Sequence, residues 1–245
     1  MNGAKSQLTV GVLGGLGPEA TLDFFGKVIA ATPVQRDQDH LHLLIDNNPK
    51  VPNRNEAVAG TGPSPAPQLA AMARRLEGAG ADFLVMPCNA AHAFLPAITG
   101  ATRLPVVSII DETTRATLAR VPHLETAGIL ASSGCLDAGL YHQSLAHRGI
   151  GVLEPQAEDR DAFMELLYRI KTGDKSADVR KRMQEIAHTL IERGAEVVIA
   201  GCTEVPLVLF EGDLPCPLIN STDVLVASTI RYATRAEALP ETQPA

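Results

Sequence analysis

The chain has 245 residues, 45% of them hydrophobic and 20% charged, with 28 acidic against 21 basic side chains for a formal net charge of −7. That length buries a sizeable core over one to two ordinary domains, and the composition excludes a disordered or collagen-like chain. The acidic balance excludes nucleic acid and anionic membrane surfaces as main partners, because a phosphate backbone requires a basic face. Four cysteines with no CxxC pair leave neither a disulfide scaffold nor a structural zinc site. No apolar run reaches the roughly 18 residues of a spanning helix, and Met1–Thr9 lacks a signal-peptide hydrophobic stretch. A reduced, cytoplasmic globular protein is expected.

Short β-branched runs alternate with longer amphipathic stretches, the pattern of parallel α/β units. Leu8–Leu13 reads as a buried strand, followed by Gly-Gly-Leu-Gly-Pro and a helix over about Glu19–Ala31, with Pro18 preorganised at a first helical position. His40–Ile45 is the next strand. Asp46–Pro67, with five prolines from Pro49 to Pro67, reads as one long loop, and loops of that length are more often functional than idle. Helix is expected over Gln68–Gly78, strand over Phe83–Met86, a short helix over Asn89–Leu95, strand over Val106–Ile109 and helix over Glu112–Arg120. A second series follows: strand Ala127–Leu130, helix Leu136–His147, strand Gly151–Leu153, helices Arg160–Lys171 and Ala177–Arg193, strand Val197–Ala200, a short helix Glu204–Leu209, strand Leu218–Asn220 and a closing helix Asp223–Arg235. The tail, Leu239–Ala245, is expected to fray.

The two series repeat. Gly11-Val-Leu-Gly-Gly-Leu-Gly17 lies over Gly128-Ile-Leu-Ala-Ser-Ser-Gly134, Gly80–Cys88 over Gly194–Cys202, and Pro105–Asp111 over Pro217–Asp223. Three blocks recurring in order at nearly constant separation indicate two homologous, doubly wound α/β halves related by a pseudo-twofold axis. The N-terminal half, 1–120, carries Cys88 and is closed by the 221–236 helix; the C-terminal half, 121–245, carries Cys202. The seam is Arg120–Glu125.

Cys88 and Cys202 thereby occupy equivalent positions, each just past the carboxyl end of a strand, where ligands bind in open α/β sheets. A thiol at a helix start also meets loose N–H groups that favour the thiolate. A lone cysteine is usually a small hydrophobe, but Pro87-Cys-Asn89 and Gly201-Cys-Thr-Glu204 surround these two with polar residues. Facing halves bring the two sulfurs to a shared cleft from opposite sides. One thiolate then removes a proton from carbon and the opposed thiol returns one to the other face, inverting a stereocentre without a cofactor. Cys216, between prolines, and Cys135, after the Gly134 turn, read as packing residues.

Gly14-Gly-Leu-Gly-Pro18, Pro87-Cys-Asn-Ala-Ala-His92 and Gly201-Cys-Thr-Glu-Val-Pro-Leu207 resemble the motifs of the aspartate/glutamate racemase superfamily, nearest its aspartate racemase branch. The likeness runs from about Thr9 to Thr234. Glu204 stands where the cell-wall glutamate racemases have His. The resemblance implies racemisation of an acidic amino acid that needs neither PLP nor metal, by a homodimer, with Cys88 and Cys202 as the catalytic pair.

For such a substrate the sequence offers Arg54 and Lys171 as cations, the positions the family associates with substrate carboxylates. By residue type alone, Arg54 also reads as a solvated loop residue and Lys171 as a helix C-terminal cation. Leu16, Gly17, Asn48, Asn89, Ala90, Ser133 and Thr203 are the further binding candidates, and Glu204 is placed to orient Cys202 or Thr203, or to complement a helix start. Gly14–Gly17 does not have dinucleotide-binding spacing. His92, about one turn beyond Cys88, reads as a wall residue or a general base, and His40 and His42 have no metal-ligand spacing around them. The chain has Ala90 and Cys135 where the family more often has Thr, and Asn53-Arg-Asn55 where it has Asp-Arg-Thr; these departures leave aspartate, glutamate and a broader range open. Two rival functions also stay open, a decarboxylase or isomerase of the same superfamily using one cysteine, and a non-catalytic protein that binds an acidic amino acid.

Overall fold

Side-chain alternation along short strands puts one set of apolar residues on each sheet face, so both faces must be covered by helices. In the computed structural model, which describes residues 7–241, strands β1 (Val10–Gly14), β2 (Leu43–Asn47), β3 (Phe83–Val85) and β4 (Val106–Val107) form one parallel sheet in the order β2-β1-β3-β4. Strands β5 (Thr126–Leu130), β6 (Gly151–Leu153), β7 (Val197–Ala200) and β8 (Leu218–Asn220) form a second parallel sheet in the order β6-β5-β7-β8. The two orders are the same once each half is counted from its own first strand, so the halves are pseudo-symmetric. The readings made over residues 1–6 and 242–245 lie outside the described residues.

The helices are α1 (Pro18–Ala31), α2 (Arg54–Val58), α3 (Ala66–Gly78), α4 (Leu95–Thr99), α5 (Ile109–Arg120), α6 (Ser133–Asp137), α7 (Leu140–Ala146), α8 (Ala157–Lys171), α9 (Ala177–Glu192) and α10 (Ser221–Ala233). Val10 and Val12 of β1 and Phe83 and Val85 of β3 share one core with Ala127 and Ile129 of β5, Val197 and Ile199 of β7, and side chains of α1, α5 and α10. The alternate residues face outward into separate cores: Leu13 and Leu84 under Leu69, Met72 and Leu76 of α3, and Leu130, Val198 and Ala200 under α8 and α9. The central core therefore joins the two sheets by their inner faces. Burying each such side chain contributes about 1.5–3 kcal/mol. Among the described residues no helix is long and apolar enough to cross a membrane.

Five elements differ from the sequence reading. Residues 46–67 are not one loop, since α2 forms within them, capped by Asn53, whose side chain accepts the Asn55 N–H at 3.0 Å. Leu136–His147 is two helices, because Gly139 adopts φ +63° between α6 and α7, a conformation that ends a helix. Strand β2 starts at Leu43 rather than His40 and runs on to Asn47. The helices expected after the cysteines are short 3₁₀ segments, Ala90–Phe94 and Val205–Leu207, so neither sulfur meets the end of a long α-helix.

Candidate active site

Strands β3 and β7 end in the same direction as their neighbours, and the chain then turns into the two cysteine loops. Cys88 and Cys202 are each 8% exposed and line one narrow cleft of about 20 Å³ with Leu16, Arg54, Asn55, Asn89, Ala90, Ser132, Leu167, Lys171, Thr203 and Glu204. Larger hollows of about 600 and 640 Å³ lie elsewhere, one between α5 and α10 and one beside β8. Neither is lined by a cysteine, so the chemistry points to the smaller, buried cleft.

Of the residues singled out from sequence, the cleft brings together Leu16, Arg54, Cys88, Asn89, Ala90, Lys171, Cys202, Thr203 and Glu204. Gly17 lies at its edge, where a Cβ would sit 2.5 Å from Glu204 Oε1 and 3.1 Å from Lys171 Nζ, so a side chain there would displace the ends of both. Asn48 is not in the wall. It sits in the turn after β2, its N–H donating to the Gly14 carbonyl at 3.1 Å and its Oδ1 accepting from Lys50 N–H at 3.1 Å. Ser133 is turned away as well, its hydroxyl accepting from Arg160 Nε at 3.2 Å, and Ser132 takes its place in the lining. Asn55 and Leu167 line the cleft without having been singled out; Asn55 follows Arg54 directly, and Leu167 lies one turn before Lys171 on α8.

Both cations are engaged. Lys171 Nζ is ion-paired with Glu204 Oε1. Burial disfavours its ammonium, but the charge of the Glu204 carboxylate and the hydrogen bond to it outweigh that and hold its pKa above the ordinary value. Arg54 starts α2, and its guanidinium donates to the carbonyls of Leu16, of Val51 at 3.2 Å and of Pro52 at 2.9 Å. It ties the Gly-rich loop after β1 to the segment that carries it.

The sulfurs differ in their neighbours. Cys202 Sγ donates to Glu204 Oε2 at 3.1 Å, and Thr203 Oγ1 donates to the same oxygen at 3.3 Å. Burial first, then the Glu204 charge, pushes the Cys202 thiol up, against the opposing pull of Lys171. Cys88 Sγ faces the Leu16 carbonyl at 4.0 Å. Cys135 is buried in the central core, and burial raises its thiol too, which suits a packing residue.

Polar side chains behind the cysteines knit the halves together. Asn89 is 2% exposed; its Oδ1 accepts from Tyr141 OH at 2.7 Å and its Nδ2 donates to Ser221 Oγ at 3.1 Å, which donates in turn to the Ala200 carbonyl at 2.7 Å. The chain of bonds runs from the residue after Cys88 to the strand end before Cys202. The backbone N–H groups of Asn89, Ala90 and Thr203, by contrast, donate to no backbone carbonyl among the described residues.

The Asp/Glu/hydantoin racemase family profile matches residues 13–229. The chain belongs to that family. Amino-acid racemisation is the activity that goes with this membership. This racemase is 26% identical over 229 residues to a broad-specificity amino-acid racemase, RacX, of Bacillus subtilis, covering 90% of this chain and 96% of the relative. Its fold is similar to the aspartate racemase of Picrophilus torridus, with a TM-score of 0.82, 25% identity and coverage of 95% and 96% of the two chains. A glutamate racemase from Francisella tularensis, solved with D-glutamate, shares the fold at a TM-score of 0.69 and 17% identity, over 97% of this chain and 85% of that one.

Proposed function

We propose that the protein racemises an acidic amino acid, aspartate or glutamate, without a cofactor, using Cys88 and Cys202 as base and acid on opposite faces of Cα. The observation that carries this reading is the placement of two buried, pseudo-equivalent cysteines in one cleft whose wall also holds Arg54 and Lys171. One sulfur removes the α-proton and the other protonates the opposite face. The free N–H groups of Asn89, Ala90 and Thr203 are suited to the α-carboxylate, whose charge grows as the carbanion forms. Lys171 and Arg54 are suited to the side-chain carboxylate. The homodimer, the cytoplasmic setting and the division into halves at residue 120 belong to the same proposal.

The test is chiral chromatography of L-aspartate and L-glutamate incubated with the protein in heavy water without PLP. The D-enantiomer should form carrying solvent deuterium at Cα. Cys88→Ala and Cys202→Ala should each lower the rate about 10²-fold or more; racemisation by both variants at the wild-type rate overturns the mechanism. A broader amino-acid range is the second reading. It is favoured by the prior engagement of both cations and by Ala90, which has no hydroxyl to offer a substrate. Under it, uncharged amino acids racemise at rates comparable to aspartate.

A further inference from the structure

The two sulfurs stand at equivalent places in the repeat but in unlike electrostatic surroundings, and this bears on how the two-cysteine mechanism proposed above is primed. Glu204 is 4% exposed, so its charge is little screened by water. One of its oxygens lies 3.1 Å from Cys202 Sγ and also accepts from Thr203, while the other is paired with Lys171. A carboxylate in that position accepts a hydrogen bond from the thiol and repels a thiolate. At Cys88 the hydrogen-bonding partner of the sulfur is a neutral backbone carbonyl, that of Leu16, at 4.0 Å, and no carboxylate bonds to it among the described residues. The residue one turn beyond Cys88, His92, turns its ring to the Cys88 carbonyl rather than to the sulfur.

We propose that Glu204 is a positioning residue that keeps the resting proton on Cys202, so that the ligand-free site presents Cys88 as the base and Cys202 as the acid. In the forward turnover the Cys88 thiolate takes the α-hydrogen as a proton and becomes a thiol, breaking one C–H bond. The Cys202 thiol gives its proton to the opposite face of the carbanion, forming one C–H bond, and becomes a thiolate. No electrons leave the system. The site is then left with a thiolate beside the Glu204 carboxylate, the less favourable of its two protonation forms. It returns to rest when the opposite enantiomer is processed in reverse, or when Cys202 regains a proton from water and Cys88 releases one. Lys171 tempers the bias. Its side chain is 26% exposed and its ammonium offsets the Glu204 charge, which makes the Cys202 thiolate form reachable. Gly17, having no side chain, leaves room for both Glu204 Oε1 and Lys171 Nζ beside it.

This inference rests on the two-cysteine reading but is tested apart from turnover. The full-length protein is alkylated with iodoacetamide across a range of pH, and modification of each cysteine is followed by peptide mass spectrometry. In Glu204→Gln the carboxylate charge is gone, so the Cys202 alkylation profile moves to lower pH, and at neutral pH Cys202 reacts about tenfold faster, the equivalent of about one pKa unit. The Cys88 profile stays in place. In Lys171→Met the shift runs the other way and Cys202 reacts more slowly. A collapsed or loosened site would move both variants in the same direction. Glu204→Asp, which keeps the charge, stays near the wild type, and should the Gln variant not fold, the slowed Cys202 of Lys171→Met carries the test.

An unmoved or slowed Cys202 in Glu204→Gln overturns the proposal, as do shifts of one sign in both variants. Kinetics supply the second readout. Enantiomers have equal free energies, so kcat/KM is equal in the two directions, and a bias between the protonation forms shows as unequal kcat values with KM values unequal in the same ratio. Those ratios should converge toward one in Glu204→Gln. If the alkylation shifts appear but no racemisation occurs, the functional reading fails and the assignment of the proton stands. If racemisation occurs with the alkylation profile unmoved, the converse holds.

Discussion

At Cys88 the backbone carbonyl accepts a hydrogen bond from His92 Nδ1 at 2.9 Å, while His92 Nε2 accepts the Ile109 N–H at 3.2 Å. With one ring nitrogen donating and the other accepting, the imidazole is neutral, and burial holds its pKa below the ordinary 6.5. A buried neutral histidine bridging a cysteine loop to the start of α5 is a positioning element rather than a base. His92→Leu leaves a buried carbonyl and a buried N–H unpaired, at a cost of about 1–3 kcal/mol for each group, read by urea unfolding at neutral pH. The sign with pH follows from the depressed pKa. The wild-type advantage is present above the unfolded value near 6.5 and is lost as pH falls, because the unfolded chain then binds a proton that the folded site refuses. The stability gap between wild type and His92→Leu should therefore narrow in acid; a gap that widens would contradict the neutral assignment.

Among the elements, α2 both lines the cleft and bridges the halves. It is rooted in the N-terminal half after β2, yet the Asn55 side chain accepts the Gly134 N–H of α6 at 2.9 Å and Asn53 Nδ2 donates to Tyr168 OH of α8 at 3.1 Å. Segment 47–65 thus straps one half to the other over the cysteines. Strap bonds that are few and partly exposed open at low free-energy cost. Asn55→Ala should lower global stability by only about 1 kcal/mol, while speeding proteolytic cleavage within residues 47–65 by a larger factor than that loss alone gives. Equal effects on the two would mean that the strap opens only with the whole molecule. The five-residue α2 is also the element that periodicity missed, because little more than one turn leaves no repeat to read.

For the molecule as a whole, the inner core depends on α5 and α10 staying together. The Glu112 carboxylate, buried between them, accepts from Ser228 at 2.6 Å, from Tyr232 at 2.8 Å and from Arg231 at 2.9 Å, and also pairs with Arg115. Burial and the adjacent carboxylate push the Tyr232 hydroxyl up to about 12. Glu237, beyond the end of α10, completes the network. Hydrogen bonds from Arg115 and then Arg231 pull its carboxyl from 4.5 down to about 2. The stretch just past α10 is therefore pinned at Glu237, and Leu239, the first residue of the tail expected to fray, packs against the central core instead. A depressed carboxyl pKa contributes stability that is present above the unfolded value and lost as pH falls through the folded one. Glu237→Gln should accordingly lower Tm at neutral pH, by a small amount because the site is open to water, and the difference should close progressively below about pH 4.5. A Tm difference independent of pH would mean that the carboxylate charge contributes nothing.

Apolar periodicity and the three repeated blocks were sufficient, read alone, to establish two parallel α/β halves and to pair Cys88 with Cys202, because strand burial and the site at the strand ends are local consequences of the chain. The strand order, repeated in both sheets, follows the repeat as well. What side chains do to one another across the cleft is not local. That Lys171 is committed to Glu204 and that Asn89 is spent on Tyr141 and Ser221 are contacts between residues 33 to 132 positions apart. The repeat makes the two cysteines equivalent, and Glu204 in place of Ala90 two residues on already sets them apart in sequence; only the packing of α8 brings Lys171 to that carboxylate. The reason is electrostatic, since the proton on a buried thiol answers to whichever charges the fold places within a few ångströms.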